Sequence, residues 1–521
     1  MRTTFLLFTV LILSGCSIIN LQSESGVELI NSDRVYKHLS YLASDSLKGR
    51  NTPSPELDTA AVYIANEFKK YGLQPVDRKY LHQVNLGIIS LGDGNSFSIT
   101  KNGKETIYSI KSDFVPFEMT ATKTVTAPVV FAGYGITAPE YNYDDYKDID
   151  VKDKVVFVLR HEPGENDSSS VFDGILLTGY SEVKYKVRNA IVHGAAGIII
   201  VTDPLNHSSI VPRGFPWPSL SKIIPKDALP LLLISKYFNK IPVVNAGESI
   251  IKGLFGRIDS LKNLQSKIDK NYSPFSFELN DAAVSIETTA EINKQTAYNV
   301  AGYIEGSDPK LKEELLIIGA HYDHVGMKKE YSPGEDYIFN GADDNASGTS
   351  ALLTIAEAFG ALKEKPKRSV LFIAFAGEEK GLLGSEAYAD QPLFPLEQTI
   401  AMLNLDMIGR NHPDRLEIAG HTYCPELKEI NEEMNKKTGF SFIYTEEYIA
   451  QSDQAVFIRN NIPVLFYHTG DEPDYHKVTD EVHLIDTEKV ARIAKLVFYT
   501  ANFIANDHNR YRILSNKVSF F

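Results

Sequence analysis

Cysteine is nearly absent: it occurs twice in 521 residues, as Cys16 and Cys424. That excludes a disulfide-stapled framework, whatever the compartment. Positive charge is also short. Lys and Arg total 53 against 67 Asp and Glu, a formal net charge of −14. No basic stripe offsets this balance, so nucleic acid is excluded as an electrostatic partner. Long apolar runs are missing too. The run Phe5 to Leu13 is too short to span a bilayer, and no other segment is better suited to cross one. What remains is a globular composition, 43% hydrophobic and 23% charged, on a chain long enough for more than one domain.

The N-terminus, "MRTTFLLFTVLILSGCS", places one Arg before that short apolar run and small residues after it, the pattern of a secretory signal peptide. "LSGC", Leu13 to Cys16, resembles the bacterial lipobox. The resemblance implies a signal peptide over 1–15, lipidation of Cys16, and an exported protein held to the membrane of the cell envelope. The alternative is an ordinary signal peptide with an incidental cysteine.

Residues 16–32 are polar and read as a tether. Residues 33–117 begin with two helical patterns, one with Val35, Leu39 and Leu42 on a face, the other with Ala61, Ile64, Ala65 and Phe68. The loop "SLKGRNTPSPE" separates them, and Gly72 stops the second. Residues 118–285 read as a β-rich insert. "APVVFAGYGI", "DKVVFVLRHEPG", "AAGIIIVTDP" and "ALPLLLIS" are short apolar runs broken by Gly and Pro. The insert is expected to hold no cluster of His, Asp and Glu at ligand spacing, and its Asp144–Asp145 pair reads as surface.

From 286 to 521 the pattern is α/β. "ELLIIGAH", "SVLFIAFAG", "IAMLNLDMIG" and "IPVLFYHTG" are strands apolar throughout, alternating with helical stretches. Such strands indicate a mixed, mostly parallel sheet flanked by helices on both faces, a three-layer sandwich carrying the insert.

Chemistry-bearing residues gather where these strands end. His321 closes "LLIIGAH", Glu378 and Glu379 follow "VLFIAFAG", Asp406 follows "IAMLNL", and His476 lies soon after "IPVLFYHTG". Asp344 stands in "FNGADDNASG", before a helix. Ligands of doubly wound sheets bind at the carboxyl ends of strands. Imidazole with carboxylate suits zinc and related divalent metals. Two histidines, two terminal carboxylates and one shared carboxylate would make two three-ligand sites, the arrangement of hydrolytic metal pairs about 3.5–4 Å apart. A shared carboxylate needs room against the backbone, which accounts for the small residues around Asp344.

"GAHYDH", "NGADDNASG", "FAGEEKGLLGS", "NLDMIGR" and "DYHKVTD" resemble, in order, the motifs of the M28 family of zinc aminopeptidases. "LASDSLKGR" and "AAVYIANEFKKYGLQP" resemble its N-terminal helices, and the insert resembles the protease-associated (PA) domain of many members. The resemblance implies a zinc-peptidase fold with two Zn²⁺ per chain. Asp344 bridges them, His321 and Asp406 complete one site, and Glu379 and His476 complete the other. Glu378 is then the general base, Asp323 the carboxylate that orients His321, and Asp343 a non-ligand. Asp453 and Glu472 lie in segments flanking the substrate and are candidates to bind it.

Departures lie outside the ligands: Gln454 where many relatives have His, and Glu481 where Thr is common. His324, His468 and His483 read as non-ligands, the first two near the site. Asp343 reads as a turn or helix-start residue. The function implied is removal of N-terminal residues from peptides. Carboxypeptidase or glutaminyl-cyclase-like chemistry on the same fold, or a silent surface binding protein, are the alternatives. Oligomeric state is left open.

Overall fold

The computed structural model describes residues 26–514 except 173, 175–176, 222 and 226–228. Cys16 and the signal-peptide expectation lie outside the described residues. The expected tether does not stay loose to residue 32: Ile30 is fully buried and a helix starts at Ser32.

Two sheets organise the chain. The larger runs, in spatial order, Leu231–Leu233, Leu81–Leu91, Ala290–Ile304, Ser369–Phe375, Leu315–His321, Thr399–Leu405, Val464–His468, Arg415–Ala419 and Ser441–Tyr444. Its centre, from Ser369–Phe375 to Val464–His468, is parallel, and its flanks add antiparallel pairs. The central strands lack polar alternation because both faces are covered. Leu316, Ile318 and Ala320 pack toward the helices Ser32–Leu42, Pro55–Lys70, Gly348–Gly360 and Thr487–Asn506. Leu315 and Ile317 face a second cluster containing Tyr388, Phe457 and Ile458. This is the mixed three-layer α/β sandwich expected.

Local chemistry fixes the helices. The Asn31 side chain accepts from Arg34 N–H, Ser54 from Leu57 N–H with Pro55 in the first turn, and Asp486 from Lys489 N–H. Val35, Leu39, Leu42, Ala61, Ile64 and Phe68 are all fully buried, and Ala65 is half-buried. Burial of a side chain like Phe68 stabilises the fold by roughly 1.5–3 kcal/mol.

The second sheet runs Lys104–Tyr108, Ser96–Lys101, Ser276–Thr288, Lys123–Ala132, Val155–Leu159, Gly197–Val201, Val243–Ala246 and Phe114–Pro116. It begins at Ser96 and ends at Thr288, so its span exceeds the expected insert of 118–285. The run "ALPLLLIS" does not join it, because Leu231–Leu233 pairs with Leu81–Leu91 at the edge of the larger sheet. Parallel pairs and the helices Val183–Val192, Glu248–Phe255 and Ile258–Asn271 make this region α/β rather than purely β-rich.

Two expectations about this region fail. Asp145 is not on the surface: it is fully buried and accepts from Tyr134 N–H, Ile136 N–H and the Tyr143 hydroxyl. A ligand-type cluster also exists, made of His161, Glu165, Asp203 and His207. It escapes a linear reading because its halves follow two different strands, united only by their parallel pairing.

Candidate active site

The parallel strands deliver the site residues to one edge of the larger sheet. His321 is the last residue of its strand, and Asp406 directly follows Thr399–Leu405. Gly377, at φ 74°, turns the chain from Ser369–Phe375 into a short helical turn holding Glu378 and Glu379. His476 lies in the loop after Val464–His468, at φ 53°. The strand of His321 has Ser369–Phe375 on one side and Thr399–Leu405 on the other, the crevice position where open α/β sheets bind ligands.

Asp344 sits between the two histidines. Its Oδ1 is 3.3 Å from His321 Nε2 and its Oδ2 is 3.1 Å from His476 Nε2. On one side, His321 Nε2 is 3.2 Å from Asp406 Oδ1. On the other, His476 Nε2 is 3.0 Å from Glu379 Oε2. The site therefore consists of two groups that share Asp344.

The small residues around this aspartate are needed for close approach. A Cβ on Gly341, at φ 57°, would lie 2.3 Å from Asp344 O and 2.5 Å from His324 Cγ. On Gly348 it would lie 2.5 Å from Leu405 O. Asn345 knits the loop to the next strand, donating to Leu405 O at 2.9 Å while accepting from Gly348 N–H. Asp343 is fully buried and accepts from Gly409 N–H at 2.6 Å, so it ties two loops together away from the ligand positions.

Glu378 and Glu379 diverge as adjacent residues in a tight turn must. Glu379 faces His476 and His324, whereas Glu378 Oε2 is 3.8 Å from His321 Nε2. Burial, together with Asp406, Asp453 and Glu379, raises the Glu378 carboxyl well above its usual range, against the pull of His321. Burial would lower His476, but the adjoining Asp344 and Glu379 carboxylates raise it to about 10. Asp323 accepts from Glu378 N–H at 3.1 Å and from the Thr52 hydroxyl at 2.9 Å. Its Oδ1 stands 3.6 Å from His321 Nδ1, beside that ring and beyond a direct hydrogen bond.

Other histidines sort by contact. His324 Nδ1 hydrogen-bonds to Glu379 Oε1 at 2.8 Å, which leaves Glu379 Oε2 for His476. His324 thus belongs to the site as the partner of a carboxylate. His468 Nδ1 accepts from Gly470 N–H. Asp453 is sealed from solvent, and Glu472 is engaged by the Asp474 N–H at 2.6 Å and by Arg410 at 3.4 Å. The departures are structural: Gln454 accepts from Asn404 and donates to two backbone carbonyls, and Glu481 accepts from Asn340.

Two supporting residues were missed. Buried Arg50 donates to the carbonyls of Leu42, Tyr322, Asn340 and Gly341, bracing the segments that carry His321 and Asp344. Asp480 accepts from the N–H groups of Asp343 and Asp344. Both stand inside quoted motifs, as the last residue of "LASDSLKGR" and the last of "DYHKVTD", but nothing in their spacing discloses a backbone-bracing role.

The residues fit a bound divalent metal. His476 Nε2 is buried between two carboxylates yet makes no hydrogen bond. Asp344, Asp406, Glu378 and Glu379 converge with no Lys or Arg ion pair to any of them among the described residues. An imidazole and a terminal carboxylate on each side of a shared aspartate, with one more half-buried glutamate beside them, is the donor set of a metallohydrolase. Residues 299–501 match the model of peptidase family M28.

Aminopeptidase YwaD of Bacillus subtilis (strain 168) is 25% identical over 490 residues, covering 90% of this chain and 86% of its own. A probable leucine aminopeptidase of Trichophyton verrucosum is 27% identical over 276 residues, 47% of this chain and 74% of the relative. BSAP, a zinc aminopeptidase from Bacillus subtilis, superposes with a TM-score of 0.45 at 21% identity, over 94% of this chain and 97% of its own.

Proposed function

We propose that this chain is an exopeptidase that removes N-terminal residues from peptides, using two Zn²⁺ ions. The observation that carries the proposal is the division of Asp344, one oxygen toward His321 and Asp406, the other toward His476 and Glu379. Bound zinc would supply Lewis acidity to the scissile carbonyl and to the attacking water. Glu378 carries the proton: its carboxylate accepts one from the attacking water and passes it to the leaving amine. Asp323 holds the Glu378 backbone in place, and His324 fixes the orientation of Glu379.

The names of Aminopeptidase YwaD and of the probable leucine aminopeptidase support the direction of cleavage. A cavity of about 510 Å³ lies between the two regions. Lys380 and Leu383 line it from the peptidase side, and Tyr180, Tyr185 and Arg188 from the other region. That region is proposed to be a PA-type domain that borders the substrate's approach. The lipobox-like "LSGC" supports export and anchoring to the envelope membrane through Cys16. Cys16→Ser should leave the protein out of the membrane fraction, and an unchanged distribution would remove the anchor.

The deciding test pairs one peptide in free and N-acetylated forms, with the products sequenced. Release of the N-terminal residue from the free form, and little cleavage of the blocked one, is the expected result. Equal rates, or release from the carboxyl end, would replace the reading with carboxypeptidase chemistry.

A further inference from the structure

The second sheet carries its own cluster of metal-type donors. Val155–Leu159 and Gly197–Val201 pair in parallel, ending with Leu159 opposite Val201. His161 and Asp203 therefore hold equivalent positions just beyond the carboxyl ends of neighbouring strands. Each is followed at i+4 by a second donor, Glu165 and His207 respectively. The four side chains converge, one potential ligand atom from each lying within 4.8 Å of the others.

The separations suit a common centre. His161 Nδ1 lies 2.5 Å from Asp203 Oδ1 and 3.5 Å from Glu165 Oε2. His207 Nε2 lies 3.0 Å from Glu165 Oε2 and 3.6 Å from Asp203 Oδ2. Donors about 2.0–2.1 Å from a tetrahedral zinc stand about 3.3 Å apart, so small adjustments would place all four around one ion. The burial of Asp203 adds an independent sign. The residue is fully buried, and its Oδ2 has no hydrogen-bond partner among the described residues. A buried carboxylate oxygen left unpaired is costly unless a cation meets it.

The frame is braced. Buried Lys186 donates to His161 O, Asn206 donates to Glu165 Oε2, and Leu205 N–H donates to the buried Gln265 side chain. His207 is the most exposed of the four donors and gives a path from solvent. We propose that His161, Glu165, Asp203 and His207 form a divalent-cation site of the zinc class that clamps the loops after two adjacent parallel strands. Two neutral imidazoles and two carboxylates balance a +2 ion and suit borderline metals better than Ca²⁺ or Mg²⁺. Four protein donors fill a tetrahedron, which marks the site as structural rather than catalytic.

The test compares the full-length protein with an Asp203→Asn/His207→Gln double variant, each equilibrated with Zn²⁺ and desalted before metal analysis. The double variant should hold one equivalent less than the wild type and keep its peptidase activity. Because the readout is a difference, it stands whatever number of ions the peptidase centre holds. His207→Gln alone, a milder change at the most exposed donor, guards against misfolding. Zn²⁺ titration calorimetry should show one equivalent weakened by more than about tenfold, since even partners of ligands contribute 10–100-fold. Equal metal content in a folded double variant, or unchanged zinc affinity in His207→Gln, would reduce the cluster to hydrogen-bonded pairs and overturn the proposal.

Discussion

The two sheets place histidines and carboxylates at the same topological point, beyond the ends of neighbouring parallel strands, yet they build different clusters there. In the larger sheet Asp344 is shared between two groups, and Gly341 and Gly348 let backbone close around it. Imidazoles and carboxylates are equal in number in the two groups, and Glu378 stands aside from them as a further acid. In the smaller sheet two imidazoles meet two carboxylates, with no shared ligand and no spare acid within the group. Each cluster rests on a buried cation that holds backbone carbonyls, Arg50 in one and Lys186 in the other. On the two proposals above, the difference separates activation of a substrate from support of a fold: surplus acid and shared ligands leave room for chemistry, whereas a closed, balanced set does not.

The largest expected break in this comparison is Asp344→Asn. It should empty both groups of the larger sheet together and take peptide cleavage below detection, whereas His476→Ala should empty chiefly one. Metal analysis that finds wild-type content in Asp344→Asn would dissolve the shared-ligand distinction. Next is Glu378→Gln, which should keep its metal and lose turnover by about 10²–10⁴-fold. Full activity would show that the spare acid is not the base, while loss of metal would make Glu378 a ligand.

A third change concerns the supports. Arg50→Met removes the donors to four carbonyls buried near the site. Leaving such groups unpaired costs about 1–3 kcal/mol each, so urea unfolding should show a loss of several kcal/mol. A loss below about 1 kcal/mol would mean that the segments carrying His321 and Asp344 hold themselves.

The amino-acid sequence discloses these two clusters very unequally. His321, Glu378, Glu379 and Asp406 each follow an apolar strand, and Asp344 lies in a loop of small residues whose purpose spacing suggests. Continuous apolar runs with helical stretches between them likewise disclose the central sheet. His161 and Asp203 follow apolar strands just as plainly, "VVFVL" and "IIIV". The β-rich pattern of that region hides them, because only parallel pairing sets both at one edge. The shared offset past each strand, with a second donor four residues on, was the available signal. Arg50 and Asp480 act on backbone groups distant in sequence, so no local pattern marks them. Burial of Asp453 likewise depends on packing that its exposed-looking motif does not reveal.

A third kind of buried histidine sharpens the contrast at smaller amplitude. His38 is fully buried between the hydroxyls of Tyr63, 2.7 Å from Nδ1, and Tyr71, 3.0 Å from Nε2. Burial lowers it to about 3, helped by Lys37, Lys70 and Arg34 and opposed by Glu67. His476, buried less and beside two carboxylates, goes the other way, to about 10. For His38 the folded state holds the neutral ring, and the unfolded chain takes up a proton near 6.5. The unfolded state therefore binds more protons below that pH, and stability falls as pH falls. The contribution is whole above about 6.5 and is lost progressively toward 3. Between pH 7 and 5 the loss amounts to about 2 kcal/mol, at 1.36 kcal/mol per unit. His38→Gln keeps a donor and an acceptor and removes the titration. Urea unfolding at pH 7 and 5, with chelator present in all samples, should show the wild type losing about 2 kcal/mol more than the variant over that interval. Equal losses would mean that His38 can be charged in place, and that hydroxyl partners serve a buried imidazolium as well as the carboxylates around His476 do.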